Sequence, residues 1–265
     1  MSGKPDFQKS RSVRIAIGGE VAVAIAVATV AAILNYPPAT AIAQEPIENT
    51  TTIIGTVEVF TPNSEPYNKT YGKWNQIWWE WAQMEPIENN PIHDPTGEKC
   101  AVNQVDPNVW FLTGTPGGRV ERDCTIPASK AIFLPLLNTE CSTAEDPSLT
   151  TEDALRDCAR NNAPDRARVV LRASVDGQEI PDLQKYWTES SLYNYTLPKD
   201  NIWGAPAGPT QEVAAGYYLM LKPLSSGTHI LHFSGANIDL AGTQTFATEV
   251  IYNLTVAEDN VGIQG

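Results

Sequence analysis

The hydrophobic positions of this chain change their spacing from one end to the other, and each spacing predicts a different element. An apolar run, 21–34, interrupted only by Thr29, comes first. Between 71 and 84 the spacing becomes helical, with Trp74, Ile77, Trp78 and Trp81 at i, i+3, i+4 and i+7 on one face. Glu85-Pro86 ends that helix, because a residue before proline is pushed out of the α region. Runs rich in β-branched and aromatic residues predict strands at 53–60, 110–113, 120–126, 131–137, 168–175, 217–221, 229–233 and 249–256. In 168–175 the alternate residues Val169, Leu171, Ala173 and Val175 share a face; in 249–256 Val250, Tyr252, Leu254 and Val256 do so, with Asn253 opposed. The stretch 131–137 is nearly all apolar and predicts a central strand.

A short second helix is predicted over 151–163. Thr150 or Thr151 can cap it, and Glu152 and Asp153 suit its positive end. Leu155, Cys158 and Ala159 share its inward face. Asp176-Gly177 is a strong two-residue hairpin signal. The glycine-rich stretch 114–118 joins two strands as a hairpin tip, and 223–227 turns between two more. Residues 86–106 form a long polar loop and 140–150 an acidic one. Short strands separated by Gly/Pro turns predict a mainly β fold: an antiparallel sandwich or jelly roll in one domain, 44–265, with the tryptophan helix 71–84 as a packed insertion.

The first run has the anatomy of a secretory signal. Lys4, Lys9, Arg11 and Arg14 precede it, Pro37 and Pro38 break it, and Ala41-Ile42-Ala43 precedes Gln44. A fourteen-residue run is short for a bilayer span, which needs about 20. The expectation is a signal peptide over 1–43 and a mature chain, secreted or at the cell surface, with no stable membrane span after cleavage; an uncleaved anchor is the alternative.

The formal net charge is −13, and the expected leader carries more bases than acids. Such a balance excludes nucleic acid as a partner, since affinity there rests on neutralising phosphates. It suits a neutral sugar, a cation or a basic protein. The four cysteines, Cys100, Cys124, Cys141 and Cys158, predict two disulfides in an exported chain. Three pairings are open. Cys100–Cys124 and Cys141–Cys158 are favoured because each closes a short local loop. A zinc site is disfavoured, since no Cys-x-x-Cys spacing occurs and the histidines lie apart from the cysteines. Asn49, Asn68, Asn194 and Asn253 head N-x-Ser/Thr sequons and are glycosylation candidates.

The runs Tyr71-Gly72-Lys73-Trp74 and Trp78-Trp79-Glu80-Trp81, then Asp94-Pro95-Thr96-Gly97-Glu98-Lys99-Cys100, Val109-Trp110-Phe111-Leu112 and Arg122-Asp123-Cys124-Thr125-Ile126-Pro127, resemble a group of exported hypothetical proteins of bacteria and archaea. The resemblance covers most of the chain after the leader. It implies export and a shared architecture, and brings no activity with it.

No G-x-S-x-G elbow, P-loop or H-E-x-x-H occurs. His229 and His232 fall on opposite faces of their strand and cannot chelate one metal together. His93, beside Asp94 in the long loop, is better placed for chemistry. On the helix, Trp79 and Glu80 lie about 140° and about 240° from Trp74 and so off the apolar stripe. A tryptophan there either stacks on a ligand or is covered by loop 86–106. A carboxylate beside such a ring is what a glycosidase uses, and Asp94 or Glu98 could supply the required second one. Asp94 and Glu98 are also the candidates for Ca²⁺, although their spacing matches no EF-hand. No other cofactor is expected. The leading reading is a non-catalytic secreted or cell-surface protein that binds a carbohydrate or an envelope protein through Trp79 and Glu80. The rival is a carbohydrate-active, glycoside hydrolase-like enzyme using Glu80 with Asp94 or Glu98.

Overall fold

The structure is a computed structural model that describes residues 57–163 and 167–258. The expected leader, its cleavage site, Asn49 and the first half of the strand at 53–60 lie outside the described residues. The described residues belong to one compact unit beginning at Ile53.

Helix α1 (Tyr71–Met84) has the bounds its periodicity predicts, with the Thr70 hydroxyl accepting from the Lys73 N–H at its start. Strands β1 (Val109–Phe111), β2 (Gly118–Pro127) and β3 (Ala131–Ser142) follow, then helix α2 (Glu152–Asn162), capped by Thr151. The rest is β4 (Val169–Val175), β5 (Gln178–Glu179), β6 (Trp187–Glu189), β7 (Tyr193–Leu197), β8 (Gly208–Leu221), β9 (Gly227–Ile238) and β10 (Gln244–Ala257). Sheet one has the order β1-β3-β8-β6, with β7 continuing β6 along the same edge of β8. Sheet two has the order β2-β10-β9-β4-β5. The fold is thus a two-sheet β-sandwich with two helices, as the alternation predicts.

Several connections differ from expectation. Residues 114–118 are not a hairpin tip: β1 belongs to sheet one and β2 to sheet two, so this segment crosses between sheets. The turn at 223–227 crosses likewise, from β8 to β9. Two ladders are parallel, β1 with β3 and β2 with β10, in an otherwise antiparallel sandwich. Residues 57–60 add a single bridge, Val59 to Leu221, rather than a named strand. Strands β6 and β7 fall where no strand was predicted, and β3 runs on through Glu140 and Cys141. The Asp176-Gly177 turn does join β4 to β5, both residues having positive φ.

Sheet one is covered on both faces. Cross-strand partners share a face, so Phe133, Pro135, Tyr218 and Met220 point one way and Leu134 and Leu219 the other. The first set meets α1, where Trp74 packs 6.3 Å from Phe133 and Trp78 packs 6.1 Å from Tyr218. The second set meets sheet two, close enough that a Cβ on Gly235 would stand 2.5 Å from the Leu136 carbonyl. This double burial is why β3 and β8 read as continuous apolar runs. Helix α2 packs Leu155 and Ala159 against Cys141, Val213 and Ala215 farther along sheet one.

Three indole N–H groups tie α1 to irregular chain. Trp74 donates to the Pro66 carbonyl, Trp78 to Leu112 and Trp81 to Val102. The disulfides are Cys100–Cys124 and Cys141–Cys158, the two local pairings. Gly97 shows how closely the long loop lies on β2: its φ is +93°, and an added Cβ would stand 2.1 Å from the Asp123 carbonyl oxygen. Gly97→Ala is therefore expected to cost about 1–3 kcal/mol through overpacking alone. Gly114→Ala, whose nearest neighbour is 3.7 Å away, should be close to neutral. Thermal melts of the two variants check this contrast.

Candidate functional site

The surface reading of Trp79 does not survive. Trp79 is 5 % exposed, its ring 4.9 Å from that of Trp78 and 6.0 Å from that of Trp203. Its cover is the β7–β8 link carrying Trp203; loop 86–106, the expected cover, meets Trp81 instead. The reason is a second buried stripe on α1. Asn75, Trp79 and Gln83, spaced by four, all face sheet one, and the Asn75 amide donates to the Ala214 carbonyl. Glu80 remains on the outer arc, half-buried, and accepts from Gln76 one turn earlier.

The candidates in the long loop divide. Asp94 is buried, and both its carboxylate oxygens are engaged: Oδ1 accepts from the Thr96 N–H and hydroxyl, Oδ2 from the Lys99 N–H. Burial opposes its ionisation, but the N–H groups of Lys99 and Thr96 win and lower its pKa. Its role is to fold the loop. His93 is exposed; burial of part of its ring, then the charges of Arg122 and Lys99, lower its pKa. Glu98 is exposed and lines a groove in which Glu80 has no part. Glu80 thus lies outside the groove that Glu98 lines, and Asp94 spends both oxygens within its own loop.

Behind this loop sits Arg122, 1 % exposed. Its Nε donates to the Asp94 carbonyl at 2.7 Å and its Nη2 to Ile92 at 3.2 Å. Its Nη1 lies 2.9 Å from the Thr113 and Gly114 carbonyls and from the Tyr252 hydroxyl. One guanidinium thus joins the loop, the crossing segment after β1, β2 and β10. The conspicuous residues of this loop and of β2 (Asp94, Gly97, Cys100, Arg122, Cys124) serve this junction.

The groove lies on the outer face of sheet two. Asp123, Asn253 and Ile230 stand side by side across β2, β10 and β9, and Thr125, Thr255 and Thr228 form the next row. Glu98 and the Cys100–Cys124 disulfide close one end, and Asp176 and His229 the other. Its volume is about 700 Å³. Its lining includes three carboxylates and neither lysine nor arginine. Asn253 Nδ2 donates to Asp123 and Glu121; of the other described sequon residues, Asn68 and Asn194 are exposed. Asp176, His229 and Ser225 have the outline of a catalytic triad, with His229 Nδ1 2.7 Å from Asp176 and Nε2 3.4 Å from the Ser225 hydroxyl. But Nε2 is closer, at 2.9 Å, to the Ser225 carbonyl. A ring that donates Nε2–H to a carbonyl cannot take the serine proton. The cluster ties the turn before β9 to the β4–β5 hairpin.

A second polar assembly was not anticipated. Glu140 on β3 and Glu212 on β8 are both buried on the α1 side of sheet one. Glu212 Oε1 accepts from the Tyr193 hydroxyl and from Gln83 Nε2. Burial, then the charge of Glu212, then Glu145 raise the Glu140 pKa well above the carboxylate range. Burial pushes Glu212 up to about 7, opposed by the Tyr193 hydroxyl, the nearby Tyr195 hydroxyl and the Gln83 amide. Two adjacent buried carboxyls cannot both ionise cheaply. The available signals were the Asn75/Trp79/Gln83 spacing and a glutamate bordering each long apolar strand run. Among the described residues, no three His, Cys, Asp or Glu side chains are grouped to hold a metal ion.

Comparisons with protein-family models, curated proteins and solved structures found no match. Among the described residues no helix is long and apolar enough to cross a membrane.

Raised carboxyl pKa values make the pair stabilising below the ordinary value near 4.5, with that contribution lost as pH rises through about 7 and beyond. Asp94 and Glu189, whose pKa values are lowered, act oppositely and lose their contribution in acid. Wild-type stability in chelator should therefore fall from mildly acidic toward alkaline pH. Glu212→Gln, which keeps the neutral shape, should flatten that fall. Urea denaturation across the pH range measures it.

Proposed function

We propose that this protein acts outside the cytoplasm as a non-catalytic binding module, with the acidic groove of sheet two as its binding face. The observation that carries this reading is the groove itself: Glu98, Asp123 and Asp176 on a disulfide-braced surface with neither lysine nor arginine in its lining. Its complement is a basic segment of an envelope protein, drawn in by charge. Exposed Ile230 gives such a segment an apolar contact between the carboxylates. A carbohydrate is the second reading, supported by the Asp123–Asn253 pair and the threonine row, which are sugar-compatible polar groups. No aromatic side chain lines the groove to stack on a ring. The two disulfides suit an oxidising compartment.

Binding of lysine- and arginine-rich peptides, run beside a glycan array, tests this reading. Peptide binding that weakens with salt and falls about tenfold in the Glu98→Gln, Asp123→Asn double variant is expected, a change of about 1.4 kcal/mol. Glycan binding insensitive to salt would select the second reading. No binding to either class contradicts the groove assignment.

A further inference from the structure

No lysine or arginine appears among the groups acting on the Glu140–Glu212 pair. Glu140 Oε2, Glu212 Oε2 and Gln83 Oε1 are buried and have no hydrogen-bond partner. All three are acceptors, Gln83 is fully buried with its amide nitrogen already on Glu212, and the one unpartnered donor beside the pair, the Tyr195 hydroxyl, has a single proton for three oxygens. The titratable groups facing the pair are themselves acidic or phenolic: Glu145 after β3, Tyr193 and Tyr195 on β7, and Tyr218 on β8. Helix α1 contributes Gln83 and Trp79, which carry no charge, and α2 packs on the opposite face of sheet one. Buried acceptors without donors are costly, and so is a second negative charge beside the first.

We propose that this cluster of unpartnered oxygens is a binding site for a small hard cation, held by the Glu140 and Glu212 carboxylates with the Gln83 carbonyl oxygen. One positive charge supplies what all three oxygens lack, and oxygen donors of this kind suit Ca²⁺ or Na⁺ better than softer ions. A proton competes for the same place. Entry of the ion releases that proton to solvent, so affinity rises with pH. The site lies on the opposite face of the sandwich from the groove and is independent of it.

Thermal melts of the full chain with Ca²⁺, Mg²⁺ or Na⁺, at about pH 5 and about pH 8, test the site. The expected result is a rise of roughly 5–10 °C at about pH 8 with a hundredfold excess of Ca²⁺ over its Kd, and little change at about pH 5. Glu212→Gln should abolish the rise, and Glu140→Gln serves in its place should the first variant fail to fold. No shift at about pH 8 with any of the three ions overturns the proposal and leaves the pair holding a proton alone. A shift retained in Glu212→Gln or Glu140→Gln places the ion elsewhere and overturns it equally.

Discussion

Phe133 and Tyr218 press against α1 while Leu134 and Leu219, one residue along, press against sheet two. Sheet one is therefore a middle layer, and this double covering governs most of what surrounds it. It requires β3 and β8 to be apolar on both faces. It requires α1 to bury a broad arc, since the helix must seal the sheet and also receive the loops that cross between sheets. Apolar area removed from water is worth roughly 25 cal/mol per Å², and α1 brings four buried tryptophans to this contact. Their indole N–H groups, three of them bound to loop carbonyls, convert a non-directional force into a fixed docking position.

The same covering explains where polar groups are found. On the inner face of sheet two, Arg122 is buried yet surrounded by carbonyl and hydroxyl oxygens, so its charge is solvated by the chain itself. Beneath α1 the balance is different. Glu140 and Glu212 enter the middle layer with fewer donors than their oxygens can use, and one oxygen of each is left without a partner. The outer face of sheet two has no such cover, and there the acidic side chains stand in water along a groove.

Local patterns carried the legible part of the fold. The bounds of α1, the Thr151 cap, the Asp176-Gly177 hairpin and the alternation in β4 and β10 depend on neighbours in sequence, and each is found where its pattern placed it. What was not legible depends on partners far along the chain. The parallel ladders and the sheet-crossing segments at 114–118 and 223–227 follow from which strands meet, and a glycine-rich link reads alike in either case. The site was less legible still. Trp79 read as lying off the helix's buried face because one apolar stripe was assumed to be the whole of that face. Asp94 looked chemical because a carboxylate that folds a loop and one that does chemistry share the same letter.

The account stands on α1 being a structural layer buried on two sides, and paired melting curves of Trp78→Ala and Trp79→Ala test that most directly. Trp78 is 2 % and Trp79 5 % exposed, so both substitutions open a cavity and each should cost about 3–5 kcal/mol. A Trp79→Ala protein that melts like wild type, while Trp78→Ala does not, would contradict the two-sided burial and return Trp79 to the surface.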